Sequence, residues 1–281
     1  MNYRHHYHAG NFADVMKHVL LVGLLQGMQR KDAGYCYLDT HAGLGWYDLS
    51  LAPAQKTGEY KQGLKRLQPG KDNPPWVKTW FTQLNALRER QGGKAWYGGS
   101  PWYAIQALRP QDRAALIELH PLDVEKLRKN MEPFPQVAVH HRDGYEALQA
   151  LIPPKEKRGL VLVDPPYEEE RQDYPQIIEL LEKAYAKWPT GVYAVWYPIK
   201  DRAPIDRFHK KMMRSGIRRQ LVCELCVMPD DNALGLNGSG LLIINPPWQF
   251  AEEADKVLQW MLPQLAEHKM AKATVQWLVG E

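Results

Sequence analysis

The stretch Gly159–Glu170 reads GLVLVDPPYEEE. An apolar run ends in an aspartate, Asp164, followed by two prolines and Tyr167. A carboxylate at the end of a buried strand lies where open α/β sheets bind their ligands. Asp164 and the carbonyl of Pro165 could both accept hydrogen bonds from a planar exocyclic amine. Such an amine is a poor nucleophile because its lone pair is delocalised. Two acceptors would aim that lone pair at an electrophile, and the carboxylate would receive the proton. The prolines would hold the acceptors fixed, and Tyr167 offers a flat face to a base drawn out of its stack. A structural strand end with Pro-Pro as a chain breaker reads the same way, so the upstream residues decide. Gly240–Trp248, GLLIINPPW, echoes these letters. With Asp164 at the fourth strand end, Asn245-Pro-Pro-Trp248 reads as structural, with a wall of the substrate cleft as the alternative.

Those upstream residues describe a donor site. Asp39-Thr-His-Ala-Gly43-Leu-Gly45 follows an apolar run, and glycines there let the backbone approach a ligand. Glu118 ends the next run, where a carboxylate could accept both hydroxyls of a ribose. Asp143-Gly144 follows a third, in the crevice where an adenine ring would lie. Ser100-Pro101 reads as a helix start, with serine as cap and proline at the first position, and N–H groups there favour a carboxylate. Ribose, adenine and an amino-acid carboxylate together describe S-adenosylmethionine better than a nicotinamide dinucleotide, whose pyrophosphate wants a glycine loop opening directly into a helix.

The elements needed to position these groups are legible. Apolar runs at Tyr35–Thr40, Ala114–Leu119, Gln136–His141, Gly159–Asp164 and Gly191–Tyr197 read as buried strands. Helical spacing fills Leu122–Met131, Tyr145–Leu151 and Tyr174–Trp188. This alternation predicts a parallel sheet covered on both faces. A helix near Ile205–Ser215 and strands near Arg218–Val227 and Gly240–Asn245 follow. With no helix between those last strands, they predict an antiparallel hairpin on the sheet. The interval between Gly45 and Glu118 far exceeds the roughly 20 residues of a dinucleotide-binding unit. It predicts a small helical insert at about residues 53–97, carrying Trp76, Trp80 and Trp96.

The N-terminal stretch YRHHYHAGNFADVMKH places His5, His6, His8 and His18 within its span. No cysteine or carboxylate cluster accompanies them, so no metal is expected. Tyrosine, histidine and arginine are also residues that stack on unpaired nucleotides and contact their phosphates. A helix is expected from Asn11 to about Gln29, with Lys17 and His18 able to face the donor crevice. Net charge is +4, which permits an anionic partner without requiring one. The basic run Lys200–Arg219 is open to two readings, a solvated helix face or a phosphate contact. Cys223 and Cys226 fall on an expected strand, where positions three apart face opposite sides. They read as core thiols. No run is long enough to span a bilayer, and no signal peptide is evident. A cytoplasmic monomer is expected.

In order, YRHHYHAGNFADVMKH, YLDTHAGLGWY, TGEY, GSP, ELHP, RDG, DPPY, AVWYP and SGLLIINPPW cover nearly the whole chain. This set resembles the RlmJ family, methyltransferases of an adenine N6 amine in 23S ribosomal RNA. The resemblance implies a Rossmann-like class I S-adenosylmethionine-dependent methyltransferase fold, α/β, one domain over residues 1–281 with the insert inside it. It implies a donor site of His18, His41, Ser100, Glu118, Asp143, Gly144 and Asp164. Asp164 would be the catalytic carboxylate. Tyr3, His5 and Lys17 would lie on the substrate side, beside Pro165 and Tyr167. The family often carries other residues where His6 and Phe12 stand, so neither is given a role. The D-P-P-Y chemistry would equally serve a DNA adenine or a protein glutamine. A non-catalytic RNA-binding protein is the reading from another class.

Overall fold

The computed structural model describes residues 5–167, 170–232 and 235–280, with nothing said of the side chains of His5, Glu170 and Arg171. The first helix, α1 (Phe12–Gln29), is capped by Asn11, whose side chain accepts from the Asp14 N–H. Val19 to Leu25 are almost wholly enclosed, as a helical stretch apolar on every side must be. Two glycines permit this. A Cβ on Gly23 would sit 2.5 Å from the Trp76 ring, and one on Gly27 2.5 Å from Pro247.

The strands then begin. β1 (Cys36–Asp39) leads to a short ribbon of β2 (Trp46–Asp48) and β3 (Trp96–Gly98). Between these two lie α2 (Ala52–Thr57), two single turns of 3-10 helix and α3 (Pro75–Gln91). These helical elements occupy the predicted insert, and α3 buries Trp76 and Trp80. After α4 (Ser100–Ile105) the chain alternates: β4 (Arg113–Glu118), α5 (Pro121–Met131), β5 (Val137–His141), α6 (Gly144–Leu151), β6 (Gly159–Val163), α7 (Glu170–Lys187), β7 (Val192–Ile199) and α8 (Arg202–Arg214). Finally come β8 (Gln220–Cys226), β9 (Gly238–Ile244), α9 (Phe250–Leu265) and β10 (Lys272–Val279).

One sheet orders these strands β10-β8-β9-β7-β6-β1-β4-β5. From β5 to β7 all pairs are parallel; β9 inserts antiparallel between β7 and β8. This is a Rossmann-like α/β arrangement, a parallel sheet with helices on both faces and an antiparallel extension at one end. β8 and β9 pair as the expected hairpin. The edge partner β10, antiparallel to β8, and the helix α9 were not anticipated. Each face carries its own apolar cluster, one built with α1, α3, α4 and α9, the other with α7 and α8. Cys223 joins the first cluster and Cys226 the second, so the two thiols point to opposite faces. Burial pushes the Cys226 thiol up to about 11.

Two local readings are corrected. β5 is half-exposed rather than buried, because it is the sheet edge with one neighbour. Ser100 is not the cap of α4. Gly99 holds that position and Ser100 is already helical, its hydroxyl donating to Asp39 Oδ2 at 2.6 Å.

Candidate active site

The sheet order reverses at β1, which has β4 on one side and β6 on the other. Ligands of open α/β sheets bind at the carboxyl ends of strands flanking such a switch point. A cavity of about 700 Å³ lies there, lined by residues from α1, the loops after β1, β4 and β6, the insert and β7. Its walls include His18, His41, Gly43, Ser100, Glu118 and Asp164, and also Lys17, Pro165, Tyr167 and Trp196.

Asp39 organises the floor without reaching the cavity. It is wholly buried and accepts hydrogen bonds from Tyr37 Oη (2.8 Å), Ser100 Oγ (2.6 Å) and the His41 N–H (3.3 Å). Burial raises its carboxyl to about 6, against the pull of the Ser100 and Tyr37 hydrogen bonds. His41, whose Nδ1 meets Thr40 Oγ1 at 2.8 Å, is lowered by burial to about 4 and is therefore neutral near pH 7. Glu118 fixes the glycine loop: Oε2 accepts from Gly43 N–H at 2.9 Å and Oε1 from His120 N–H at 2.8 Å. Each oxygen keeps a second lone pair for a ligand hydroxyl.

α1 supplies the opposite wall. Asp14, Lys17 and His18 share one helical face, as residues three and four apart do. His18 Nδ1 lies 2.8 Å from Tyr97 Oη, which ties the helix to β3. Lys17 Nζ lies 2.5 Å from Asp164 Oδ2, 3.0 Å from Asp14 Oδ1 and 5.2 Å above the Trp196 ring. Lys17, expected on the substrate side, thus stands on the Asp164 carboxylate itself.

Tyr167 departs from its expected role as an open stacking face. Its backbone is left-handed (φ 49°), its hydroxyl donates to Trp196 O at 2.6 Å, and its ring meets Trp196 edge-on. The residue is only 4% exposed. Asp143 and Gly144 line a smaller adjoining cavity that shares His41, Pro165 and Pro166 with the large one. Asp143 caps α6, accepting from the Tyr145 and Glu146 N–H groups. Tyr3 lies outside the described residues, and His5 is described by its backbone alone. The echo Asn245-Pro-Pro-Trp248 takes no part in either cavity. Asn245 donates to Pro189 O and Gly191 O, and Trp248 is 78% exposed.

Sequence reasoning gave no role to Asp14, Trp196, Tyr97 or the pair His8–Glu59. The pair joins the N-terminal segment to the insert at 2.9 Å. Asp14 had a signal, its spacing of three before Lys17 on one helix. In the basic run, Arg202 is bound to Glu224 and Asp230, while Arg207, Lys210, Lys211 and Arg214 face solvent. Among the described residues no group of three His, Cys, Asp or Glu could hold a metal ion. Among those same residues no helix is long and apolar enough to cross a membrane.

Three kinds of similarity bear on this site. Residues 32–279 match the family described as ribosomal RNA large subunit methyltransferase D, RlmJ. A Haemophilus influenzae protein named ribosomal RNA large subunit methyltransferase J is 41% identical over the whole of both chains. The Escherichia coli protein of the same name is 38% identical, again over the whole of both. A crystal structure of a Legionella pneumophila protein is 36% identical, with a TM-score of 0.85 over 96% of this chain and 98% of that one.

Proposed function

The chain belongs to the RlmJ family of ribosomal RNA large subunit methyltransferases, and we propose that it methylates the exocyclic N6 amine of an adenine in 23S ribosomal RNA, with S-adenosylmethionine as donor. The observation that carries the chemistry is Asp164 with Pro165 at the end of β6, on the wall of the cavity that Glu118 and Gly43 also line.

The donor's groups fit the residues present. Glu118 would take the ribose hydroxyls, since both its oxygens are already fixed by backbone N–H groups and keep acceptor capacity. Asp143 and Gly144, in the adjoining cavity, would hold the adenine, beside neutral His41. His18 and Ser100 border the end where the amino-acid portion would lie. When bound, the donor supplies an electrophilic methyl group on a positively charged sulfur.

Asp164 and the Pro165 carbonyl would accept the two amine hydrogens and turn the nitrogen lone pair toward that methyl. Lys17 would hold Asp164 in place and keep its second oxygen occupied. As positive charge grows on the nitrogen, Asp164 would take the proton. Tyr167 braces this turn through Trp196, and Tyr3 and His5 would meet the RNA from the N-terminal segment. The protein would work in the cytoplasm, as a monomer and without a metal.

The test is incubation with labelled donor and, in parallel, total RNA, total DNA and a protein extract, followed by nucleoside and amino-acid analysis. N6-methyladenosine from 23S RNA is the expected product. Label in DNA adenine or in protein glutamine would move the substrate class. No label in any fraction, with donor still bound, would favour a non-catalytic RNA-binding protein.

A further inference from the structure

We propose that Asp14 is a positioning residue for Asp164: acting through Lys17, it is the fixed counter-charge that keeps the ammonium settled when Asp164 takes up a proton. The proposal rests on the reading of Asp164 given above.

Asp14 is held on every side. One oxygen contacts Lys17 Nζ at 3.0 Å, the other accepts from the Gly10 N–H at 3.1 Å, and its own N–H is capped by Asn11 Oδ1 at 2.8 Å. Its side chain is 3% exposed and that of Lys17 is 4% exposed. An acid and a lysine three apart on a helix usually meet in water, where the pairing is weak. Here the ammonium is enclosed between two carboxylates, and the three groups together carry one negative charge.

That odd charge has a consequence. If Lys17 faced Asp164 alone, the pair would be neutral, and protonating Asp164 would strand a positive charge in the interior. With Asp14 present, proton uptake leaves a neutral Lys17–Asp14 pair behind. In methyl transfer the nitrogen–carbon bond forms as the carbon–sulfur bond breaks, and sulfur keeps the electron pair. The amine then sheds a proton, which Asp164 accepts and passes to water. Asp14 makes that acceptance cheaper at the moment it is needed.

Other charged and titratable groups surround Asp164. Asp39 and Tyr37 approach from β1, His41 from the loop after it and Tyr167 from its own turn. Glu118 and Lys200 line the same cavity. The charge of Asp14 also acts on His8 and Glu59 at the junction with the insert and on Tyr97 and Tyr103 beside His18.

The test is the single-turnover rate of methyl transfer to a 23S RNA transcript, measured against pH. Asp14→Asn is expected to move the acid limb down by about two pH units, the scale of one charge about 5.5 Å away at an effective dielectric of about 20. The plateau falls about tenfold or more as the carboxylate loses its fixed geometry. Asp14→Glu, which restores the charge, returns the limb toward the wild-type position. Should Asp14→Asn fail to fold, Asp14→Ser, neutral but still an acceptor for Gly10, makes the same limb prediction. If plateau and melting temperature fall together while the limb stays in place, and Glu does no better than Asn, Asp14 only fastens the helix start and the proposal is wrong. A wild-type protein that transfers no methyl to RNA would overturn the functional reading itself. An active wild type whose limb coincides with the variants' would overturn the Asp14 role alone.

Discussion

The Lys17 ammonium lies 2.5 Å from Asp164 Oδ2, although 147 positions separate the two residues in the chain. α1 and the end of β6 are therefore one unit at the site. Asp164→Asn replaces a proton acceptor with a group that offers its own N–H to the amine. Turnover on RNA is expected to fall by about two to four orders of magnitude, the range a positioned acid or base contributes. Lys17 keeps Asp14 as a partner, so the variant should stay folded by circular dichroism. Near wild-type turnover would remove Asp164 from the chemistry.

Glu118→Ala should weaken binding of S-adenosylmethionine by about 1.5–3 kcal/mol, the scale of hydrogen bonds to a charged group. The substitution also releases Gly43 and His120, whose N–H groups Glu118 holds. Structure around the glycine loop should therefore loosen as well, visible as faster amide exchange there. Calorimetry that finds donor affinity unchanged would place the ribose contact on another residue.

The two proline turns make opposite predictions. Trp248 is 78% exposed and outside both cavities, so Trp248→Ala should leave turnover unaltered and stability within about 0.5 kcal/mol. Tyr167→Phe removes the hydroxyl that donates to Trp196 O and leaves that carbonyl short of a partner, at about 1 kcal/mol. A several-fold loss of turnover is expected with it, because Trp196 also lies under Lys17. A variant pair in which Trp248 proved the more damaging would reverse the assignment of the two motifs.

Most of what was legible in the sequence was local. Strand ends terminate in Asp39, Glu118 and Asp164 because apolar runs stop at polar residues, and the parallel order follows from the helices between them. The long interval between Gly45 and Glu118 pointed to extra elements, and α2 and α3 lie in it. What could not be read depends on tertiary contact. Lys17 could be placed no more closely than the donor crevice or the substrate side, because nothing in the helix says which strand end it meets. Tyr167 looked open because its buried hydroxyl bond to Trp196 O joins the turn after β6 to β7. β10 was missed because KATVQWLV is half-exposed, and an edge strand carries only a weak apolar signal.

The last prediction concerns the junction of N-terminal segment and insert. His8 Nδ1 lies 2.9 Å and 3.0 Å from the two oxygens of Glu59, and Asn11 Nδ2 donates to the same carboxylate at 3.0 Å. The hydrogen bond that His8 donates to Glu59 raises the imidazole above 6.5, partly offset by burial. Burial alone would raise Glu59, but His8 and Asn11 hold it below 4.5. A raised histidine contributes its full stability below 6.5 and loses it as pH climbs through the folded value. A lowered glutamate contributes fully above 4.5 and loses it as pH falls. The pair is therefore strongest between these limits and fades on either side of them. Both side chains are more than a third exposed, so the gain stays under about 1 kcal/mol. Melting temperatures of wild type and Glu59→Gln should differ most near pH 5.5 and converge toward pH 8.5. Convergence stays incomplete, because the Asn11 hydrogen bond does not titrate. The His8 imidazole, followed by NMR, should titrate above its ordinary value in wild type and near it in Glu59→Gln. A gap in melting temperature that widened with rising pH would show that this ion pair does not join the N-terminal segment to the insert.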